Sequence, residues 1–121
     1  MANNRTVRIA QEMKRELAHI SSQEVKDDRL SPMANVSRIE LTGDLKYAKV
    51  YISVYDEQKR RLSSVAALNH AARFIRSKLA HAMTVRTVPS LTFELDSTIE
   101  YSFEIEKKLQ EVFKKDHETN C

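Results

Sequence analysis

The sequence predicts an α+β domain in which helices pack on one face of a small sheet. Three observations carry this reading. Apolar residues recur in steps of three and four near the N-terminus, the period changes to two between Asn35 and Tyr55, and helical spacing returns from Gln58 onward. With 121 residues, 41% of them apolar and 31% charged, the chain fits one domain spanning 1–121, with no repeat or linker and a polar tail from about residue 114. A domain of that size buries about two-thirds of the surface its unfolded chain exposes, enough to fold alone.

The first element is expected from Thr6 to about Lys26, where Ile9, Met13, Leu17 and Ile20 form one stripe of an amphipathic helix. Asp27, Asp28, Ser31 and Pro32 end it, because proline cannot continue the helical hydrogen bonding. Two antiparallel strands follow, joined at Gly43. Ile39 and Leu41 alternate with Arg38 and Glu40 in the first strand. In the second, Ala48, Val50, Ile52 and Val54 alternate with Tyr47, Lys49, Tyr51, Ser53 and Tyr55. The aliphatic set is the core face. The tyrosine set is either a stacking platform for bases or an ordinary amphipathic face.

From Gln58 to Met83, Leu62, Val65, Leu68, Ala72, Ile75, Leu79 and Ala82 make a stripe expected to face the sheet. No glycine or proline interrupts it, so periodicity alone favours one unbroken helix. Val85, Val88 and then Leu91, Phe93 and Leu95 suggest a further short strand after Pro89. Asp96 with Ser97 or Thr98 then offers a cap for a last helix carrying Ile99, Phe103, Ile105, Leu109, Val112 and Phe113.

Composition excludes several chemistries. Gly43 is the only glycine, which rules out a P-loop, a dinucleotide fingerprint and a glycine-rich clamp on a nucleic-acid backbone. Cys121 is the only cysteine, so neither internal disulfides nor cysteine-based zinc sites can form. His19, His70, His81 and His117 lack metal-ligand spacing, and no carboxylate pair or serine elbow suggests catalysis. No metal, cofactor or enzyme activity is expected. Charges in the first twenty residues interrupt any signal-like segment, and the protein is expected to be soluble, cytoplasmic, monomeric and unconnected with membranes.

The net charge of +3 conceals an uneven distribution. Between Lys59 and Ser90 stand seven cations, Lys59, Arg60, Arg61, Arg73, Arg76, Lys78 and Arg86, and no carboxylate, whereas residues 91–121 are net acidic. A polyanion is the natural partner of such a run. The alternative is a solvated helix face neutralised in space by the acidic C-terminal segment.

Several stretches resemble ribosome-binding factor A. They are Arg5 to Glu16, Val25-Lys26-Asp27-Asp28-Arg29-Leu30, and Val36 to Ser53 with its Gly43-Asp44-Leu45-Lys46-Tyr47-Ala48-Lys49-Val50-Tyr51 hairpin. Further on come Phe74-Ile75-Arg76-Ser77-Lys78-Leu79, and Arg86-Thr87-Val88-Pro89-Ser90-Leu91-Thr92-Phe93 running on to Glu100. Together they span nearly the whole chain in the family's order.

The resemblance implies a KH-like domain of type II order, helix-strand-strand-helix-helix-strand-helix, without the glycine-rich KH loop. It also implies a noncatalytic assembly factor that binds the immature free small ribosomal subunit and its ribosomal RNA late in maturation, with links to growth in the cold and to release by an assembly GTPase. The family's Ala-x-Gly bend is Ala71-Ala72-Arg73 here, Ala80 and His81 replace a glycine-containing turn, and Ser102 and Glu104 stand where glycine and often arginine are expected. The bend is nevertheless expected, against the periodicity.

KH-like domains carry nucleic acid past the junction of the two middle helices and along the neighbouring sheet edge. On that basis the RNA-binding candidates are Arg73, Arg76, Lys78 and Arg86 together with Lys46 and Lys49, then Arg8 and Arg29, which could instead pair with Glu12, Glu24 or Asp28. Arg76 could alternatively pair with the acidic last helix. The competing function is a protein-interaction module whose tyrosine face and cationic helix dock an acidic protein.

Overall fold

In a computed structural model that describes residues 4–85 and 87–96, the elements run α1 (Asn4–Gln23), β1 (Ala34–Leu41), β2 (Tyr47–Val54), α2 (Gln58–His70), α3 (Ala72–Ala82) and β3 (Ser90–Leu95). This is the expected KH-like α+β order. The last helix and polar tail expected from the sequence lie outside the described residues.

Helix α1 buries Ile9, Met13, Leu17 and Ile20, the predicted stripe. It ends three residues earlier than expected, and the chain is then turned by Asp27. One carboxylate oxygen of Asp27 accepts the Arg29 backbone N–H at 2.9 Å and Arg29 Nε at 3.1 Å, while the other accepts Nη2 at 2.8 Å. The partner of Arg29 is therefore Asp27, not Glu12, Glu24 or Asp28.

Strand β2 is central, antiparallel to β1 and parallel to β3. A hairpin makes the first pairing, whereas the second needs a crossover, which α2 and α3 provide. The helices pack against the face carrying Ala48, Val50, Ile52 and Val54, all buried as expected. A register shift between Val36 and Arg38 leaves Ser37 without a cross-strand partner. This bulge keeps Val36 buried and still turns Ile39 and Leu41 inward, which strict alternation would not allow. Ser37 bonds instead to the Asp96 carboxylate beyond β3.

The β1–β2 connection differs from the expected glycine-centred turn. Leu45 holds the left-handed conformation at φ 61°, whereas Gly43 has no positive φ. The turn is built from side chains: Thr42 Oγ1 donates to Asp44 Oδ1 at 2.6 Å, and Asp44 Oδ1 accepts the Lys46 N–H at 3.1 Å. Leu45 is packed against the core, which offsets a backbone cost of about 1–2 kcal/mol.

Helix α2 corrects the predicted stripe. Leu62 is 54% exposed, and the buried face is Arg61, Ser64, Ala67 and Leu68. Ser64 Oγ accepts the buried Ser31 N–H at 2.8 Å and donates to Arg60 O at 2.7 Å. Ser31 Oγ donates to Asp56 Oδ2 at 2.9 Å, and Asp56 Oδ1 accepts the Glu57 N–H at 2.8 Å. Polar side chains are thus buried because each satisfies a group in the chain segment before β1 or at the start of α2.

The helix is interrupted where the bend is expected, with α2 and α3 separated at Ala71, whose φ −90° and ψ 7° are open to any residue. Asn69 fixes the joint to the sheet. Its Nδ2 donates to Phe93 O and its Oδ1 accepts the Phe93 N–H, both at 2.9 Å, so one side chain pairs with an edge-strand residue as another strand would.

Among the described residues three carboxyls are held below their usual range. Asp27 is lowered to about 2, chiefly by the Arg29 side-chain hydrogen bonds. Asp56 is lowered by the Glu57 N–H and the Ser31 hydroxyl, and Asp44 by Thr42 and the Lys46 N–H. A carboxyl depressed by folding stabilises fully above its unfolded value near 4, and that contribution is lost as the pH falls through the folded value. The thermal midpoint should accordingly be flat from neutral pH to about 5 and fall progressively below about 4. Asp27→Asn should show a shallower fall in the same titration, and an unchanged slope would remove Asp27 from the account.

Candidate nucleic-acid interface

The basic run from Lys59 to Ser90 is partly consumed by the fold. Arg61 is 1% exposed and donates to Asp56 O at 2.8 Å and to Gln58 Oε1. Arg60 donates to Asp28 O at 2.9 Å and lies 3.7 Å from Asp56. Lys78 Nζ is 3.3 Å from Glu24 at the end of α1 and 5.6 Å from the Phe74 ring centre. Carboxylates absent from the run in sequence thus reach it in space from the α1 end and the β2–α2 connection.

The outer face of β2 is also balanced. Lys49 pairs with Glu94 at 3.9 Å, and Arg38 stacks on the Tyr51 ring at 3.8 Å while bonding Glu40, which accepts the Tyr51 hydroxyl at 3.2 Å. Tyr51 therefore belongs to an amphipathic face and is not free for stacking.

Four cations, Arg5, Arg8, Lys46 and Arg76, gather at the other end of the sheet. Lys46 and Arg76 line one cleft of about 540 Å³ between the start of α1, the β1–β2 turn and the segment leading into β3. Arg5 lines it as well. Sequence reasoning missed Arg5 because only the packing of α1 against the sheet and α3 brings it there. A second cleft of about 320 Å³ continues the first past Arg5, Val85 and Thr84 to Arg8.

Arg76 has a structural task here, as its Nε and Nη2 donate to Val88 O at 3.2 and 2.9 Å. This ties α3 to the cleft wall, and Ser90 N–H donating to Lys46 O at 2.9 Å ties that wall to the turn. Two carboxylates line the clefts. Asp44 is engaged by Thr42 and the Lys46 N–H, and Glu12 accepts the Thr84 N–H at 3.2 Å. Among the described residues, Arg5, Arg8 and Lys46 have side chains with no hydrogen bond or ion pair.

Arg73 is exposed in the first turn of α3, beside the bend, and is likewise unpaired among the described residues. The structure therefore divides the candidates. Lys46, Arg76 and Arg8 share the groove, Arg73 stands alone at the bend, and Lys49, Lys78 and Arg29 are ion-paired, while Arg86 lies outside the described residues. Among the described residues no three His, Cys, Asp or Glu side chains converge on a metal site, and no helix is long and apolar enough to cross a membrane.

Comparison with known proteins gives this surface its context. The ribosome-binding factor A of Clostridium kluyveri is 39% identical over 112 residues, covering 93% of each chain. The crystal structure of ribosome-binding factor A from Thermus thermophilus superposes with a TM-score of 0.65 at 27% identity, covering 74% of this chain and 92% of that one. A homology model of Thermus thermophilus ribosome-binding factor A, fitted into the cryo-EM map of a 30S complex with that factor, gives 0.59 at 28% identity, over 70% and 88% of the two chains. The sequence model of ribosome-binding factor A matches residues 5–109, and with these relatives it places the chain in the ribosome-binding factor A family.

Proposed function

We propose that the protein is a noncatalytic assembly factor that binds the immature free small ribosomal subunit through its ribosomal RNA, late in maturation, before release assisted by an assembly GTPase. The observation that carries the RNA contact is the groove itself, where Arg5, Arg8 and Lys46, exposed and unpaired among the described residues, stand between secondary elements that fix their spacing. The Thermus thermophilus relative seated on a 30S subunit supports the small subunit as the target. Docking of an acidic protein by the tyrosine face has less support, because Lys49, Arg38 and Tyr51 already meet Glu94 and Glu40.

The test is cosedimentation of the purified protein with free small subunits. Binding should be retained at low salt and stripped at high salt, with a steep log-log slope, since each phosphate contact releases counterions. Replacing Arg5 and Lys46 together by alanine should weaken binding about tenfold and flatten the slope by between one and two ions, without lowering the thermal midpoint. A salt-independent interaction would overturn the RNA reading.

A further inference from the structure

The outward tyrosines of β2 have different fates. Tyr51 is covered by Arg38 and bonded to Glu40. Tyr47, the first residue of the strand, is 61% exposed, and among the described residues its side chain has no hydrogen bond and no ring or cation contact. It lines the same cleft as Arg5, Lys46 and Arg76.

We propose that this cleft is a subsite for single-stranded RNA, in which one unpaired base stacks on Tyr47 and the adjoining phosphates lie against Arg5 and Lys46. The proposal rests on the reading that the protein binds RNA, and it adds which form of RNA the cleft accepts. Among the described residues lining the cleft, three cations against one carboxylate favour an anion, and Asp44 is already engaged within its own turn. An exposed aromatic face beside those cations gains from a second flat ring, and every base has one. In an A-form duplex each base face is covered by its neighbours, so only a splayed nucleotide can present a face to Tyr47. At about 540 Å³ the cleft lies within the usual range of small-ligand sites.

Position separates this subsite from the helix junction. Tyr47 pairs with Ser90 at the start of β3, whereas the bend is anchored by Asn69 at Phe93, three residues further along and about 10 Å away. Arg76 acts as a positioning residue, since its two bonds to Val88 O hold the wall opposite the turn.

The full chain should be titrated at low salt with a short unstructured oligoribonucleotide and with the duplex formed with its complement. The single strand should bind about tenfold more tightly than the duplex, and Tyr47→Leu should lose about tenfold of single-strand affinity while Tyr47→Phe retains it. The chain has no tryptophan, so its tyrosine emission can be followed directly. Quenching on RNA addition should be smaller in Tyr47→Phe than in the parent although affinity is kept, a readout that a folding defect in the leucine variant would not produce. Equal binding of duplex and single strand, or Tyr47→Leu binding like the parent, would overturn the subsite. If small subunits still cosediment in that case, the assembly-factor reading survives, whereas failure of cosedimentation by the parent would remove that reading on its own.

Discussion

Val50→Asp is expected to abolish cooperative folding. Val50 is fully buried at the middle of the central strand, paired with Ile39 on one side and Phe93 on the other, under the helices that carry Met13, Ile75 and Leu79. A carboxylate there has no partner among the core residues and must be desolvated or protonated, in a domain whose total stability is of order 5–15 kcal/mol. The cost should exceed about 4 kcal/mol and remove most of that margin. Lys49→Ala, one residue away on the opposite face, removes only a half-exposed ion pair at 3.9 Å and should cost less than about 1 kcal/mol. Circular-dichroism melts of the two variants decide the matter, because comparable losses would contradict the face assignment that the rest of the fold depends on.

Where one face of an element meets one environment, the sequence was readable. The stripe of α1 and the alternation of β2 are both buried as expected, because their inward residues are aliphatic throughout. Helix α2 departs from its predicted stripe because its buried face includes Arg61 and Ser64. Hydropathy counts these as surface, and their burial depends on groups such as Ser31 and Asp56 that lie elsewhere in the chain. The bulge after Val36 and the left-handed Leu45 left no local signal, since neither position carries the glycine that such backbone shapes favour.

The bend at Ala71 was invisible to periodicity. Its backbone angles need no special residue, and its anchor is a single asparagine reaching across to Phe93. Charge was legible as a total and not as a distribution. Which cations remain free depends on contacts such as Lys78 with Glu24, and on α1 bringing Arg5 to the turn, none of which follows from spacing along the chain.

Arg61→Ala is expected to destabilise the domain by about 3 kcal/mol, a cost more typical of a core leucine than of a residue in a basic run. The Arg61 side chain fills space beneath α2, and its guanidinium donates to the Asp56 carbonyl at 2.8 Å and to Gln58 Oε1. The Asp56 carboxylate in turn holds Ser31 and the first N–H of the helix approach, so the arginine braces the joint between β2, α2 and the chain after α1. Arg61→Met keeps much of the buried stem and should recover part of the loss, leaving about 1–2 kcal/mol for the missing hydrogen bonds. Arg60→Ala, whose side chain is more exposed, should cost less than about 1 kcal/mol. Urea unfolding with unchanged m-values would give these differences directly. Binding supplies the complementary test, for below its own melting temperature Arg61→Ala should bind small subunits with the parental salt slope, since a buried guanidinium releases no counterion. A flattened slope would mean that Arg61 reaches RNA after all, and that the division between cations that hold the fold and cations left for a ligand is drawn in the wrong place.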